Sequence, residues 1–228
     1  MRTAAGTASP WTASPGRVEA FSDGVLAIAI TLLVLELRSP AEADHGRFAE
    51  ALTREWPTYL AYLAAFVMIG SVWLHHHLVL SRVRRVNLPV VLVNLLLLLA
   101  TSVLPFPTAV ISTAWRVGAR QDQVVAVALF GLISVAISGA YIAVCHALAG
   151  RPELLTGPAA VAFLRAERRR GLVAVAGTVV AVVAAAVITP TLALVLLAVT
   201  PAFYLGTLPR TLAASPAEPT DVPSADVA

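Results

Sequence analysis

The stretch "RVEAFSDGVLAIAITLLVLEL", residues 17–37, decides the fold. A polar cluster, Ser22 and Asp23, is followed by fourteen residues of almost uninterrupted hydrocarbon. A helix needs about 20 predominantly apolar residues to cross about 30 Å of bilayer interior at about 1.5 Å per residue, and this run fits. The other long apolar runs have the same character. The chain has 228 residues, is 58% hydrophobic and 13% charged, and has a mean hydropathy of +0.82, too apolar and too poor in charge for a soluble globular domain. The apolar/polar alternation of an outer-membrane barrel is absent. The reading is an all-α integral membrane protein.

Six spans are predicted. They run over about residues 18–37, 56–80, 88 to the "PFPT" of 105–108, and 124–148, followed by two spans in a block over 171–208. The paired prolines of "PFPT" each remove a backbone donor and should end or kink the third span. The last block is too long for one helix and should turn near Pro190. Residues 1–15 read as a flexible tail without the apolar core of a signal peptide, 16–209 as the membrane domain, and 210–228, rich in Pro, Ala and acids, as a disordered tail. No internal repeat stands out.

All sixteen basic residues are arginine, against thirteen acids. They sit in short segments between apolar runs, which points to topology rather than to nucleic acid. With the N-terminus inside, Arg2, Arg17, Arg82, Arg84, Arg85, Arg151, Arg165, Arg168, Arg169, Arg170 and Arg210 are internal, eleven against five for Arg38, Arg47, Arg54, Arg116 and Arg120. Both termini are therefore expected in the cytoplasm. Glu42, Asp44, Glu50 and Glu55 give the first outer loop a mildly acidic character. Cys145, the single cysteine, lies in an apolar segment and reads as a core residue.

Polar side chains inside a bilayer cost a few kcal/mol and face protein or water by default. Asp23, Trp73 with His75, His76 and His77, and Asn94 fall at a common depth, about 8–14 Å in from the cytoplasmic ends of the first three spans. That coincidence predicts an interhelical network. In it Asp23 accepts from indole, imidazole or amide donors, and Arg17 reaches up to pair with it. Successive histidines point about 100° apart on a helix, so the triple run is not read as a metal site. On a helical wheel Gly24, Ile28, Leu32 and Leu35 lie within about 40° of Ile28, Thr31 about 60° away, and Asp23 about 140° away. The first helix thus has an apolar ridge on one face and a polar anchor on another.

This run resembles the R-x-x-x-F-S-D signature of the transmembrane protein 175 family, the lysosomal potassium channels and their prokaryotic homologues. "WLHHHLVLSRVRRVN" on the second span, Asn94 on the third and the following "LPFPT" are similar to the same family. The later spans match only in length and hydropathy. The resemblance implies a homotetramer with six transmembrane helices per subunit, in which the first helices line a central pore. It implies a pore constriction at Ile28, Leu32 and Leu35, five, nine and twelve residues after Asp23, with Thr31 as the selectivity position. It also casts Arg17, Phe21, Ser22, Asp23, Trp73, His76 or His77, and Asn94 as the network that aims this helix.

The implied function is a potassium channel of moderate selectivity in a bacterial cell membrane. A ring of Ile or Leu closes a pore by dewetting, and four threonine hydroxyls partly replace an ion's hydration shell. There is no "TVGYG" filter. No cofactor is expected beyond the permeant potassium ion, nor any partner beyond the lipid bilayer and the other subunits. The alternative is a proton-coupled secondary transporter using the buried Asp and His groups, which calls for broken helices in corresponding halves and a repeat. An enzyme reading lacks a Ser/His, paired-acid or metal-ligand arrangement, with His146 alone near the end of the fourth span.

Overall fold

The computed structural model describes residues 12–37, 39 and 46–206. The expected disordered tail at 210–228, residues 1–11 of the N-terminal tail, and Glu42 and Asp44 of the acidic loop lie outside the described residues. Among the described residues, eight α-helices follow in chain order: α1 Pro15–Leu32, α2 Phe48–Arg54, α3 Trp56–Leu80, α4 Leu88–Ser102, α5 Pro105–Val117, α6 Arg120–Ala149, α7 Pro158–Val187 and α8 Pro190–Gly206. Tighter 3₁₀ turns extend α1 over Leu33–Glu36 and precede α7 at Pro152–Leu154.

Among the described residues, five helical stretches are long and apolar enough to cross a membrane: Pro15–Glu36, Trp56–Leu80, Leu88–Val117, Arg120–Ala149 and Pro158–Val187. The sixth expected span corresponds to α8. Its described part is 17 residues long and ends where the described residues end.

Proline punctuates the elements as the sequence reading expects. Pro105 and Pro107 end α4 and start α5, whose first turn does not need their missing N–H groups. The α7–α8 turn falls at Ile188 and Thr189, directly before Pro190. The fifth span is longer than expected. It starts at Pro158 rather than Gly171, because the arginine-rich stretch is not a loop but three turns of helix. Leu164 and Glu167 are buried there, while Arg165, Arg168 and Arg169 face outward at helical spacing.

The core is a packed α6–α7 pair with α8, α3, α4 and α5 around it, and α1 lies on the edge against α3 and α4. Small residues let α6 and α7 approach closely. A methyl group at Gly131 would sit 2.3 Å from Val182 Cγ2, and one at Gly171 would sit 2.7 Å from Ile142 Cγ1. Cys145 is fully buried in this core.

Between α3 and α4 the chain forms a tie. Val86–Asn87 (β2) pair antiparallel with Thr12–Ala13 (β1), two residues expected in the flexible tail. In the same connection, Val83 bridges to Leu155, Arg84 N donates to Leu154 O at 2.8 Å, and Thr156 N donates to Arg82 O at 3.0 Å. The expected acidic mouth is neutralised where it is described. Glu50 binds Arg47 and Arg54, and Glu55 binds Arg116.

Candidate functional site: the α1 face and its anchors

α1 has a buried side and a bare side. Leu26, Ala29 and Leu33 are 2%, 2% and 0% exposed, whereas Ile28, Leu32 and Leu35 are 62%, 42% and 68% exposed. Gly24 and Thr31 are exposed with them. The ridge obtained from the wheel therefore faces away from the rest of the subunit. Leu35 lies in the 3₁₀ extension, where residues advance about 120° rather than 100°, so its direction departs from the α-helical wheel. Thr31 Oγ1 donates to Ala27 O at 3.0 Å or to Ile28 O at 2.9 Å. With its proton directed into the helix, its lone pairs are left on the bare side.

Three separate polar links hold the other side of α1. Trp73 Nε1 donates to Asp23 Oδ1 at 2.9 Å. His77 Nδ1 donates to Glu19 Oε1 at 2.6 Å, and its ring stacks on Trp73 with centroids 6.3 Å apart. The third link is a directed chain: His76 Nε2 donates to Asn94 Oδ1 at 2.8 Å, Asn94 Nδ2 donates to Ser22 Oγ at 3.0 Å, and Ser22 Oγ donates to Val18 O at 2.8 Å. His76, Asn94 and Ser22 are all buried. The sequence expectation placed these residues in one network around Asp23. The structure instead joins Asp23 to Trp73 alone among the described residues, and gives the imidazole and amide donors to other acceptors. Arg17 forms no ion pair with Asp23 among the described residues, and both it and Phe21 are exposed.

Sequence reasoning missed two acids. Glu19 lies four residues before Asp23, one helical turn away on the same side, and that spacing is a usable signal. Glu167 is 0% exposed on α7, and its carboxylate accepts from His75 Nδ1 at 2.7 Å, from Tyr141 Oη at 2.8 Å and from Arg170. α3 thus presents His76 and Trp73 to α1 and α4 while the adjacent His75 faces α7. His146, expected to stand alone, accepts from Arg168 Nη1 at 3.3 Å.

The family model for the endosomal/lysosomal potassium channel TMEM175 matches residues 17–105, which hold α1 but for its first two residues, α3, α4 and all three links. A Streptomyces collinus protein named as a potassium channel is 43% identical over 128 residues, covering 55% of this chain and 60% of that protein. The Gallus gallus protein named endosomal/lysosomal proton channel TMEM175 is 42% identical over 100 residues, covering 40% of this chain and 20% of that one. These matches thus span less than two thirds of the curated relatives' lengths. The crystal structure described as a lysosomal potassium-selective channel TMEM175 homologue from Chamaesiphon minutus superposes with a TM-score of 0.63 at 32% identity, over 84% of this chain and 96% of that chain. A likeness at 32% identity that reaches nearly the whole of a solved homologue, in a chain whose residues 17–105 the family model also matches, is one of descent: this chain belongs to the TMEM175 family.

Proposed function

We propose that the chain is the subunit of a homotetrameric, moderately potassium-selective channel in a bacterial cell membrane, with six membrane-crossing helices per subunit and both termini in the cytoplasm. The observation that carries this reading is the bare face of α1, where Ile28, Leu32 and Leu35 are exposed while the opposite side of the same helix is sealed. Four such faces around an axis give a water-excluding constriction. Thr31 adds four hydroxyls whose lone pairs are free to meet a cation. The names given to the bacterial relatives agree with potassium as the permeant ion.

Lipid contact would also leave an apolar face bare, so the constriction needs a direct test. Purified protein in planar bilayers under a potassium/sodium gradient should give single-channel steps reversing toward the potassium potential. Ile28→Ala should raise conductance or sodium leak. Slow, saturable flux without steps would instead mark a carrier, and currents unchanged by Ile28→Ala would take that residue out of the pore. Vertebrate relatives are named proton channels, so the same recordings should be repeated under a pH gradient. Native mass spectrometry should find four copies. A monomer would end the shared-pore reading, since one α1 cannot enclose a path.

A further inference from the structure

On the side of α3 away from α1 lies a cavity of about 50 Å³, between α3, α6, α7 and α8. Its apolar wall includes Met68, Val72 and Ile137, and its polar end includes Ser71 and His75. His75 and Ser71 are 1% and 4% exposed, and His75 Nε2 and Ser71 Oγ are buried without a hydrogen-bond partner among the described residues. They lie one helical turn apart on one face of α3.

The chemistry of that polar end follows from its neighbours. Because His75 Nδ1 donates to the Glu167 carboxylate, the neutral ring carries its proton on Nδ1 and turns a lone pair at Nε2 toward the cavity. Glu167 is also paired with Arg170. His75 Nε2 is thus an acceptor that a neutral hydrogen-bond donor on a guest can meet, in a lining that also carries the hydroxyl-bearing Ser138, Thr200 and Tyr204. One water needs only about 10–15 Å³, so this space admits something larger, with a body that suits the apolar wall.

We propose that this cavity is an intrasubunit binding site for a small, neutral, mostly apolar molecule bearing one N–H or O–H donor, which it gives to His75 Nε2 while Ser71 Oγ takes up its remaining polar edge. α3 is the wall shared with α1, so a guest here bears on the helix that holds Asp23, Asn94 and Glu19 through Trp73, His76 and His77.

Pyrazole and 1-methylpyrazole are suitable probes, being neutral rings near neutral pH of which only the first has an N–H. With the purified full chain, pyrazole should raise the melting temperature saturably, at several-fold lower concentration than 1-methylpyrazole. Ser71→Val, which narrows the cavity, should abolish the effect. Ser71→Ala, which removes the hydroxyl without adding volume, should weaken pyrazole several-fold in ligand-observed NMR even if the Val variant does not fold. An equal response to both rings, no response to pyrazole, or a response unchanged in Ser71→Ala would overturn the proposal. So would a high-resolution map with solvent peaks only and no pyrazole response. None of these readouts involves current, so the channel reading and this one fail separately.

Discussion

Asn94 is buried among leucines with its amide engaged in both directions, accepting from His76 and donating to Ser22. Replacing it with Leu strands an imidazole N–H and removes the donor to Ser22, whose hydroxyl keeps Val18 O as its acceptor. Interhelical hydrogen bonds inside membranes average about 0.6 kcal/mol and reach about 1.7, so Asn94→Leu should cost about 1–3 kcal/mol. Glu167 should matter more. Three donors converge on a fully buried carboxylate, and breaking such a set by removing one partner costs about 3–5 kcal/mol. Equilibrium unfolding in mixed micelles should rank Glu167→Ala below Asn94→Leu in stability, with Glu167→Gln between them because the amide keeps an acceptor. Equal stability of Glu167→Ala and the parent would show that the cluster contributes nothing. Asn94 and Asp23 were legible in the sequence because a lone polar residue in a hydrocarbon run is costly and calls for a partner. Glu167 was not, because in "RAERRR" it reads as one more interfacial charge, and only the helical phase of α7 turns it inward.

Helix existence was legible from apolar length, and the breaks were legible from proline. What the pattern hid was the closeness of α6 and α7, which depends on where two glycines fall once the helices are in register. Gly131 lets Val182 into the space its own side chain would fill. Gly131→Ala should therefore destabilise by about 1–3 kcal/mol through overpacking, and Val182→Ala added to it should recover part of the loss. Gly139, on the same helix with nothing within 4 Å of where a methyl group would project, is the control. Gly139→Ala should be neutral or stabilising by up to about 1 kcal/mol, from helix propensity alone. Equal losses at the two sites would show that packing is not the cause.

At the scale of the whole molecule, α1 is held from one side only, and its links to α3 and α4 fix the orientation of the bare ridge. The connection over 82–87 reinforces this, being tied both to β1 ahead of α1 and to the turn ahead of α7. Insertions should expose the difference between this tie and an ordinary turn. A short epitope placed after Gly118, in the exposed α5–α6 turn where φ is 82°, should leave the melting temperature and yield unchanged, whereas one between Arg84 and Arg85 should reduce both. Equal tolerance at the two sites would mean that the tie is dispensable. Nothing in the sequence announced it, since two-residue strand pairings leave no periodicity to read.

The tie also has a consequence for the order of synthesis. Thr12–Ala13 and Ser22 leave the ribosome well before Val86–Asn87 and Asn94, their partners in the strand pairing and the buried amide link. A nascent chain that has reached the end of α3 can already join Trp73 to Asp23 and His77 to Glu19, but it lacks β2 and the amide of Asn94. α1 can therefore be joined to α3 as soon as the second span is made, whereas the strand pairing and the buried amide link that complete its hold form only once the third span follows.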